Sequence, residues 1–362
     1  MKAGIVTFHF VNNYGGALQA YALRKTIEKN FCQDVGLVDY RHWFIRFTDA
    51  VRMLPITTNV RYYGPWFRSF RRMRKRRRKF AAFTARELNL SKRINFTPGL
   101  GKLKGQYQIL IAGSDQIWNP TITMGLAKPY FLTFADPDCR KISYAASVGQ
   151  MSDSKKRKLK GYLSKLDAVS IREEVDWLEK SAKFPIEHHI DPTFLLSEKE
   201  WRQVATIPRT REKYILTYFM QKNEAAYETV KKIKEATGYK VFDISRYGYK
   251  PDCVDKSFVD VGPEEFLGLF ASATQVITNS FHGMAFSLIF SKPVDFIPIK
   301  RFSGRIEALS ELFRLEKEPV NDGEYYHMKY DRETVQGIMA EERKKTYSYL
   351  EKEIQAAHDN NK

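Results

Sequence analysis

A histidine stands where a short apolar strand gives way to a helix. Residues 275–278 read as a strand, 279–283 as a turn of small and polar residues, and 284–290 as a helix, with His282 just before it. A helix N-terminus offers unpaired N–H groups and a positive dipole end, which suit a phosphate or a carboxylate. An imidazole there can also transfer protons near neutral pH. His282 is therefore a candidate for anion binding and proton transfer, with a plain polar cap as the alternative.

A second polar segment follows the first predicted strand and leads into the first predicted helix. Asn12, Asn13 and Gln19 carry amide donors and acceptors that suit sugar hydroxyls, and Tyr14 lies among them. The two glycines after Tyr14 permit close approach of the backbone to a ligand. Turn formation alone would also explain the paired asparagines and glycines.

A third polar segment, Ser114-Asp115-Gln116, ends another predicted strand. Asp115 is positioned to accept a proton from an attacking hydroxyl group. Ser114 or Asp115 would equally serve as an ordinary helix N-cap. The segment thus predicts either a catalytic base or a capping turn.

Three arginines lie at the ends of predicted elements and suggest an anion site. Arg172 follows a strand, and Arg301 and Arg305 precede a helix. The guanidinium group binds phosphate and carboxylate bidentately, which favours arginine over lysine in such sites. The alternatives are that Arg172 pairs with a neighbouring acid and that the other two belong to a basic surface.

The charge of the chain is concentrated in one short segment. The chain has 60 basic and 42 acidic residues, a net charge of +18, and nine basic residues but no acidic one lie between Arg68 and Lys79. Aromatic residues flank and interrupt this run, as in basic helices that lie on an anionic membrane surface. Nucleic-acid binding and a merely solvated charged face are the alternatives.

These segments alternate along the chain in a pattern typical of α/β folds. Strand–helix–strand order from residue 3 to residue 39 predicts a parallel sheet with right-handed crossovers, and a second alternation begins near residue 214. We place a domain boundary near Asp191-Pro192, since the residue before proline disfavours helix. Domain 1–192 would include the basic segment 66–86, domain 193–330 would follow, and a helix over 331–362 would close the chain. A ligand is expected between two such domains, at the carboxyl ends of the strands.

Composition excludes several classes of protein. The chain is 43% hydrophobic and has no apolar run near the ~18 residues that a membrane span requires. Cys32, Cys139 and Cys253 are scattered singly, which predicts neither disulfides nor a metal site. We therefore expect a cytosolic protein with reduced thiols and no bound metal.

Together, the motifs resemble the polysaccharide pyruvyl transferase family. The resembling segments are residues 12–23, 113–119, 142–147, 170–173, 191–196, 262–266, 279–287 and 305–309, in the family's order. The resemblance implies two Rossmann-like domains in an arrangement similar to GT-B glycosyltransferases, with the ligand cleft between them. It also implies transfer of pyruvate from phosphoenolpyruvate to two hydroxyls of a sugar, forming a cyclic ketal in a bacterial surface polysaccharide.

The resemblance assigns roles to the candidate residues. His282 looks like the family's histidine beside phosphoenolpyruvate, and we expect it to transfer protons, with Asp115 as the base. Several family members carry arginine two residues before this histidine, where this chain has Ser280. The donor side would then comprise Asn279, Ser280, Gly283, Arg172, Arg301 and Arg305. The acceptor side would comprise Asn12, Asn13, Tyr14, Gln19, Ser114 and Gln116.

The same resemblance implies partners and a location. Phosphoenolpyruvate would be a co-substrate, and no metal or organic cofactor is required. The acceptor would be a sugar or a polyprenyl-diphosphate-linked oligosaccharide, made at the inner face of the cytoplasmic membrane. A peripheral contact there would use Arg71, Arg72, Arg74, Lys75, Arg76, Arg77 and Arg78. The alternatives are a GT-B glycosyltransferase that uses a nucleotide sugar and, more remotely, a non-catalytic nucleic-acid-binding protein.

Overall fold

The computed structural model describes residues 1–51, 63–220, 224–245, 250–298, 303–320 and 324–359. The described strands are β1 (Lys2–Val6), β2 (Asp34–Leu37), β3 (Ile109–Ala112), β4 (Arg140–Ser143), β5 (Val169–Ile171), β6 (Ile186–His188), β7 (Tyr214–Tyr218), β8 (Lys240–Ile244), β9 (Lys256–Phe258), β10 (Gln275–Thr278), β11 (Val294–Phe296), β12 (Glu316–Val320) and β13 (Tyr325–Lys329). The described helices are α1 (Tyr14–Asn30), α2 (Trp43–Val51), α3 (Tyr63–Glu87), α4 (Asp153–Leu163), α5 (Asp176–Glu179), α6 (Glu198–Val204), α7 (Glu224–Thr237), α8 (Pro263–Ser272), α9 (Phe281–Ile289), α10 (Ser303–Leu312) and α11 (Arg332–Asp359).

The chain divides into two compact units. The first comprises Met1–Arg52, Ala81–Leu196 and Glu341–Lys362, and the second comprises Met53–Phe80 and Ser197–Ala340. The change of unit after Leu196 lies close to the predicted boundary. Two segments differ from the prediction, because most of the basic segment belongs to the second unit and the end of the C-terminal helix belongs to the first.

The first unit is built on a parallel sheet. Its strand order is β2-β1-β3-β4, and all three strand pairs are parallel. Isolated bridges continue the sheet from β4 towards β5, which pairs in parallel with β6. The carboxyl ends of β1, β3 and β5 therefore lie at one edge, where ligands of such sheets bind.

Apolar side chains explain why this first sheet forms. Its central strands β1 and β3 are buried almost throughout, as expected of strands covered on both faces. Helix α1 is buried from Tyr14 to Leu23. The end of helix α11 is tied to the same unit, since the Tyr349 hydroxyl donates to the Ser143 carbonyl at 2.7 Å and Arg140 Nε donates to a Glu353 carboxylate oxygen at 2.8 Å.

The second unit contains a larger mixed sheet. Its order is β12-β13-β11-β10-β7-β8-β9, with β11 to β9 parallel and the β12–β13 hairpin antiparallel at one edge. β7 and β10 occupy central positions, and their carboxyl ends are adjacent. The turn that carries His282 therefore lies in the middle of this sheet's carboxyl edge.

The prediction of two α/β domains with parallel sheets is confirmed. The sequence did not predict α2, β9 or the β12–β13 hairpin, and α9 begins at Phe281, earlier than the predicted Met284. His282 thus lies in the first turn of α9 and not before it. Among the described residues, no helix combines the length and apolar character of a membrane span. The ligand cleft between the two domains stays a prediction.

Candidate functional site

The strand-to-helix turn in the second unit is built around Thr278. Its hydroxyl accepts a hydrogen bond from the Ser280 amide (N–Oγ1 3.1 Å) and donates one to the Tyr218 carbonyl (Oγ1–O 2.6 Å). A Cβ atom on Gly283 would lie 2.2 Å from the same Oγ1, so glycine is required there. The first turn of α9 consequently lies directly against the end of β10.

Asn279 and Ser280 both have a part in forming this turn. Ser280 is the N-cap of α9, and its hydroxyl accepts a hydrogen bond from the Gly283 amide at 3.4 Å. The Asn279 side-chain oxygen accepts one from the Met220 amide at 2.7 Å, which joins the ends of β10 and β7. Both side chains are buried. These residues shape the predicted donor site, and direct contact with a donor stays a prediction.

An imidazole and a guanidinium group flank one aromatic ring beside this turn. The rings of Phe281 and His282 meet edge to face, with centroids 5.2 Å apart. The guanidinium carbon of Arg305 lies 5.9 Å from the Phe281 ring centroid. His282 and Arg305 are both partly exposed. The third predicted anion ligand of this region, Arg301, lies outside the described residues.

In the first unit, Asp115 occupies an unusual backbone conformation at the end of β3. Its φ angle is +72°, in the left-handed region that short polar side chains tolerate better than others. One carboxylate oxygen accepts a hydrogen bond from the Gln116 amide at 2.8 Å. The other lies 3.5 Å from the position that a Cβ on Gly16 would take, at the start of α1. The turn thus directs a partly exposed carboxylate towards the N-terminal end of α1, and its role as a base stays a prediction.

Arg172 forms a buried ion pair with Asp191, with 2.8 Å between Nη2 and Oδ2. The guanidinium also donates to the hydroxyl of Ser114, which itself donates to the Ala145 carbonyl at 3.1 Å. Burial alone would lower the pKa of the guanidinium, but the nearby carboxylates of Asp191, Glu173 and Asp115 raise it.

This pairing decides between the two interpretations of Arg172. The sequence allowed either an anion ligand or a partner of an acid, and the structure shows the second. Asp191 compensates the charge of Arg172 inside the first unit, so we no longer count Arg172 among the donor ligands. Ser114, a predicted acceptor ligand, is likewise fully buried and bonded within this network.

The N-terminal end of α1 carries two of the predicted acceptor ligands in partly exposed positions. Asn13 is the N-cap of α1 and accepts a hydrogen bond from the Gly15 amide at 3.0 Å. The Asn12 amide donates to an Asp49 carboxylate oxygen at 3.3 Å. Turn formation therefore explains Asn13, while acceptor binding by either asparagine stays a prediction.

Gln19 and Tyr14 lie deeper than an acceptor ligand would. The Gln19 amide nitrogen donates to the Thr7 hydroxyl and to the Gly16 carbonyl, both at 3.0 Å, and the side chain is fully buried. Tyr14 is 1% exposed. The Gln19 side chain thus joins α1 to the segment that follows β1, because its amide also donates to the Phe8 carbonyl at 3.3 Å. Gln116 is the remaining predicted acceptor ligand and is partly exposed.

A family model for polysaccharide pyruvyl transferases matches residues 13–299. This range holds both strand-end sites and most of the chain. The chain belongs to the polysaccharide pyruvyl transferase family. It is therefore a transferase, and the resemblance inferred from the motifs is confirmed. No curated protein matches the chain.

Solved structures that are similar to this chain include UDP-GlcNAc 2-epimerases and a glycosyltransferase. UDP-GlcNAc 2-epimerase from Neisseria meningitidis, bound to UDP-GlcNAc, is 10% identical, with 99% of this chain and 94% of that chain covered and a TM-score of 0.46. The UDP-GlcNAc 2-epimerase from Methanocaldococcus jannaschii is 12% identical and has a TM-score of 0.46, with 94% of this chain and 92% of that chain covered. The glycosyltransferase SnogD from Streptomyces nogalater is 13% identical and has a TM-score of 0.41, with 97% of this chain and 98% of that chain covered. Such low TM-scores establish neither substrate nor activity.

Several basic residues of helix α3 form ion pairs with acids of the second unit. Arg72 Nη2 and Lys75 Nζ each lie 3.0 Å from a carboxylate oxygen of Asp260, and Lys79 pairs with Glu265. The predicted set of seven membrane-surface residues is therefore too broad. Arg72 and Lys75 are held by an acid of their own unit and do not belong to an uncompensated surface.

Sequence reasoning missed several residues that build these sites. Thr278 and Phe281 belong to the β10–α9 turn, and the sequence did not predict the pairing of Arg172 with Asp191. A further cluster lies at the ends of β1 and β2, where His9 Nε2 is 3.0 Å from an Asp39 carboxylate oxygen. Burial alone would raise the pKa of Asp39, but hydrogen bonds from His9 and Arg41 lower it to about 2. The one feature of the sequence that could have indicated these residues is their position at or just after the carboxyl end of a strand.

The second unit thus offers what an anionic donor requires, and the first offers a carboxylate. His282 lies in the first turn of α9, Arg305 of α10 lies near the Phe281 ring of the same turn, and Asp115 lies at the end of β3. Within the described ranges, no group of three or more histidine, cysteine, aspartate or glutamate side chains is arranged to hold a metal ion.

Proposed function

We propose that this protein transfers the pyruvyl group of phosphoenolpyruvate to two hydroxyls of a sugar in a bacterial surface polysaccharide or its lipid-linked precursor. The observation that carries the proposal is His282 in the first turn of α9, with the Arg305 guanidinium near the neighbouring Phe281 ring, in a chain that belongs to the pyruvyl transferase family. A phosphate and a carboxylate on one small molecule need cations and a helix N-terminus, and we propose that Arg305 and the N-terminus of α9 provide them.

The proposed reaction balances without a cofactor. One sugar hydroxyl attacks C2 of phosphoenolpyruvate while C3 is protonated to a methyl group, and the second hydroxyl displaces phosphate to close the ketal. One of the two hydroxyl protons ends on the methyl group and the other on the departing phosphate. We assign proton transfer at the enol carbon to His282 and deprotonation of the hydroxyl to Asp115.

Ser280 fits this proposal although several family members carry arginine there. Its hydroxyl caps α9, so the turn keeps its geometry without a cation at that position. Arg305 is then the cation proposed for the charges of phosphoenolpyruvate. We propose that Asn279 and Gly283 hold the turn in place, so that its backbone N–H groups face the donor.

The acceptor and the location of the reaction are part of the same proposal. Asn12, Asn13 and Gln116 are the partly exposed amides proposed to bind acceptor hydroxyls. We propose that the acceptor is a sugar or an oligosaccharide on polyprenyl diphosphate. The reaction would then take place in the cytoplasm, at the inner face of the membrane.

The testing experiment is calorimetric titration of the full chain with phosphoenolpyruvate, with inorganic phosphate and a nucleotide sugar as comparison ligands. Selective binding of phosphoenolpyruvate is expected, weakened at least tenfold in His282→Ala and Arg305→Gln. Arg211→Gln, an exposed arginine of the same unit, and His188→Ala, a histidine of the first unit, serve as matched controls that should bind normally. Binding of the nucleotide sugar in place of phosphoenolpyruvate would overturn the proposal in favour of glycosyl transfer.

A further inference from the structure

One face of α3 combines exposed aromatic and arginine side chains. Tyr63, Phe67, Arg71, Arg74 and Arg78 follow each other at intervals of three or four residues, which places them along one side of a helix. All five are exposed, and Phe67 is 70% exposed. We call these five residues, together with exposed Phe70, the aromatic–arginine face.

The opposite side of α3 holds the helix to the second unit. Met73 and Phe80 are buried and lie away from this face, and Arg72 and Lys75 pair with Asp260 of the same unit. The pairs with Asp260 and the pair of Lys79 with Glu265 attach the helix to the second unit, and the burial of Met73 and Phe80 fixes which side faces inward. The aromatic–arginine face is consequently presented to solvent by the fold and does not depend on a free, rotating segment.

The charges on this face are not compensated within the described chain. Among the described residues, none forms an ion pair with Arg71, Arg74 or Arg78. Between Tyr63 and Arg86 the sequence contains no aspartate or glutamate. A surface of this kind attracts a polyanion at close range.

The aromatic end of the face distinguishes among polyanions. Phe67 and Phe70 are exposed, and the Trp66 ring lies 4.7 Å from the Phe67 ring and 5.4 Å from the Phe70 ring. Large exposed aromatic side chains next to arginines are typical of helices that lie in the headgroup region of a bilayer. Base stacking on aromatic rings is the rival use, which makes single-stranded nucleic acid the alternative outcome.

We infer that the aromatic–arginine face of α3 binds an anionic phospholipid surface, with Phe67 and Phe70 entering the headgroup region and Arg71, Arg74 and Arg78 contacting lipid phosphates. The inference concerns where the protein binds and makes no use of the pyruvyl transfer reaction. Failure of vesicle binding would therefore remove the proposed location and leave the transfer reaction standing, and absence of transfer would leave the membrane contact standing.

The test is sedimentation of the purified full chain with vesicles of phosphatidylglycerol and phosphatidylcholine, compared with vesicles of phosphatidylcholine alone. Binding only to the anionic vesicles is expected, and it should weaken as salt rises. Each basic residue near such a surface strengthens binding about fivefold, so Arg71→Gln/Arg74→Gln/Arg78→Gln should weaken it about 100-fold. Phe67→Ala/Phe70→Ala should weaken binding at high salt as well, since apolar insertion is not screened.

A matched control removes three exposed basic residues elsewhere. Lys155→Gln/Arg157→Gln/Lys183→Gln changes the net charge equally on the surface of the first unit and should retain most of the vesicle binding. Equal losses in the two triple variants would show a net-charge effect and overturn the inference. Absence of wild-type vesicle binding, or tight single-stranded DNA or RNA binding that the Arg71/Arg74/Arg78 variant alone loses, would overturn it too.

Discussion

Arg172 and Asp191 form an ion pair with 2.8 Å between Nη2 and Oδ2, and both side chains are almost completely shielded from water. Breaking a buried pair by removing one charge costs about 3–5 kcal/mol, since the other charge is left uncompensated. Asp191→Asn should therefore lower the free energy of unfolding by about that amount in urea titrations. Adding Arg172→Met should recover part of the loss, because no lone charge remains. Unchanged stability of the single variant would show that the pair has no structural part.

Gly283 lies against Thr278 more closely than any other residue type allows. A Cβ would lie 2.2 Å from the Thr278 hydroxyl oxygen, so Gly283→Ala forces the turn apart and should cost about 1–3 kcal/mol. Gly337→Ala is the matched control. Nothing lies within 4 Å of a Cβ there, in α11, so that variant should gain up to about 1 kcal/mol from helix propensity. Thermal unfolding of both variants measures the contrast, and similar shifts in the two would contradict the packing argument.

His282→Ala should reduce pyruvyl transfer by about 10²–10⁴-fold, the usual contribution of a general acid or base. The measurement is incorporation of labelled pyruvyl groups from phosphoenolpyruvate into a panel of sugar acceptors. His188→Ala, outside the candidate sites, should transfer at the wild-type rate. Near-full transfer by the His282 variant would remove this residue from the mechanism.

Asp115→Asn separates a catalytic carboxylate from a structural turn. Asparagine also tolerates the positive φ angle of +72° and keeps the side-chain shape, so the fold should be preserved. Transfer should fall by about 10²–10⁴-fold while the dissociation constant for phosphoenolpyruvate stays unchanged. Asp138→Asn, an exposed acid of the same unit, is the control. Full transfer by the Asp115 variant would assign this residue to the turn alone.

His189 should make the stability of the protein depend on mildly acidic pH. Burial, with smaller effects from Lys345 and His188, lowers its pKa from 6.5 to about 4. As the pH falls below about 6.5, the unfolded state gains a proton that the folded state does not accept until about pH 4, so folding stability decreases over this window. The loss attributable to His189 is about 2 kcal/mol between pH 7 and pH 5.

His189→Gln removes this titration and retains a polar group that can reach the Ser170 hydroxyl, which lies 2.8 Å from His189 Nδ1. The slope of urea midpoint against pH should flatten in the variant relative to the wild type. Equal slopes in the two proteins between pH 5 and pH 7 would refute the assignment.

The elements that carry the candidate sites could largely be predicted from local pattern. β10 has the predicted bounds, and the strand–helix–strand order predicted from residue 3 to residue 39 is present as β1, α1 and β2. Apolar periodicity, proline and glycine act over short distances along the chain, so they are visible in the sequence. α9 begins three residues before the predicted Met284, because Ser280 is its N-cap and Phe281 is its first residue.

Side-chain roles proved less predictable than elements. Gln19 and Tyr14 are predicted to bind an acceptor, yet both are buried, and the Gln19 amide already donates to the Thr7 hydroxyl. Their residue types suit sugar binding and tight packing equally. Only the depth of each side chain in the fold separates the two uses.

The sequence by itself determined the α/β alternation, the family and the position of His282 at a strand-to-helix turn, because each depends on short segments. Only the tertiary structure decided which charges are already paired. Arg172 meets Asp191 after an intervening strand, and Arg72 meets Asp260, 188 residues away. Such pairings depend on which elements the folded chain brings into contact. The sequence around one residue does not indicate which distant residue will be its partner.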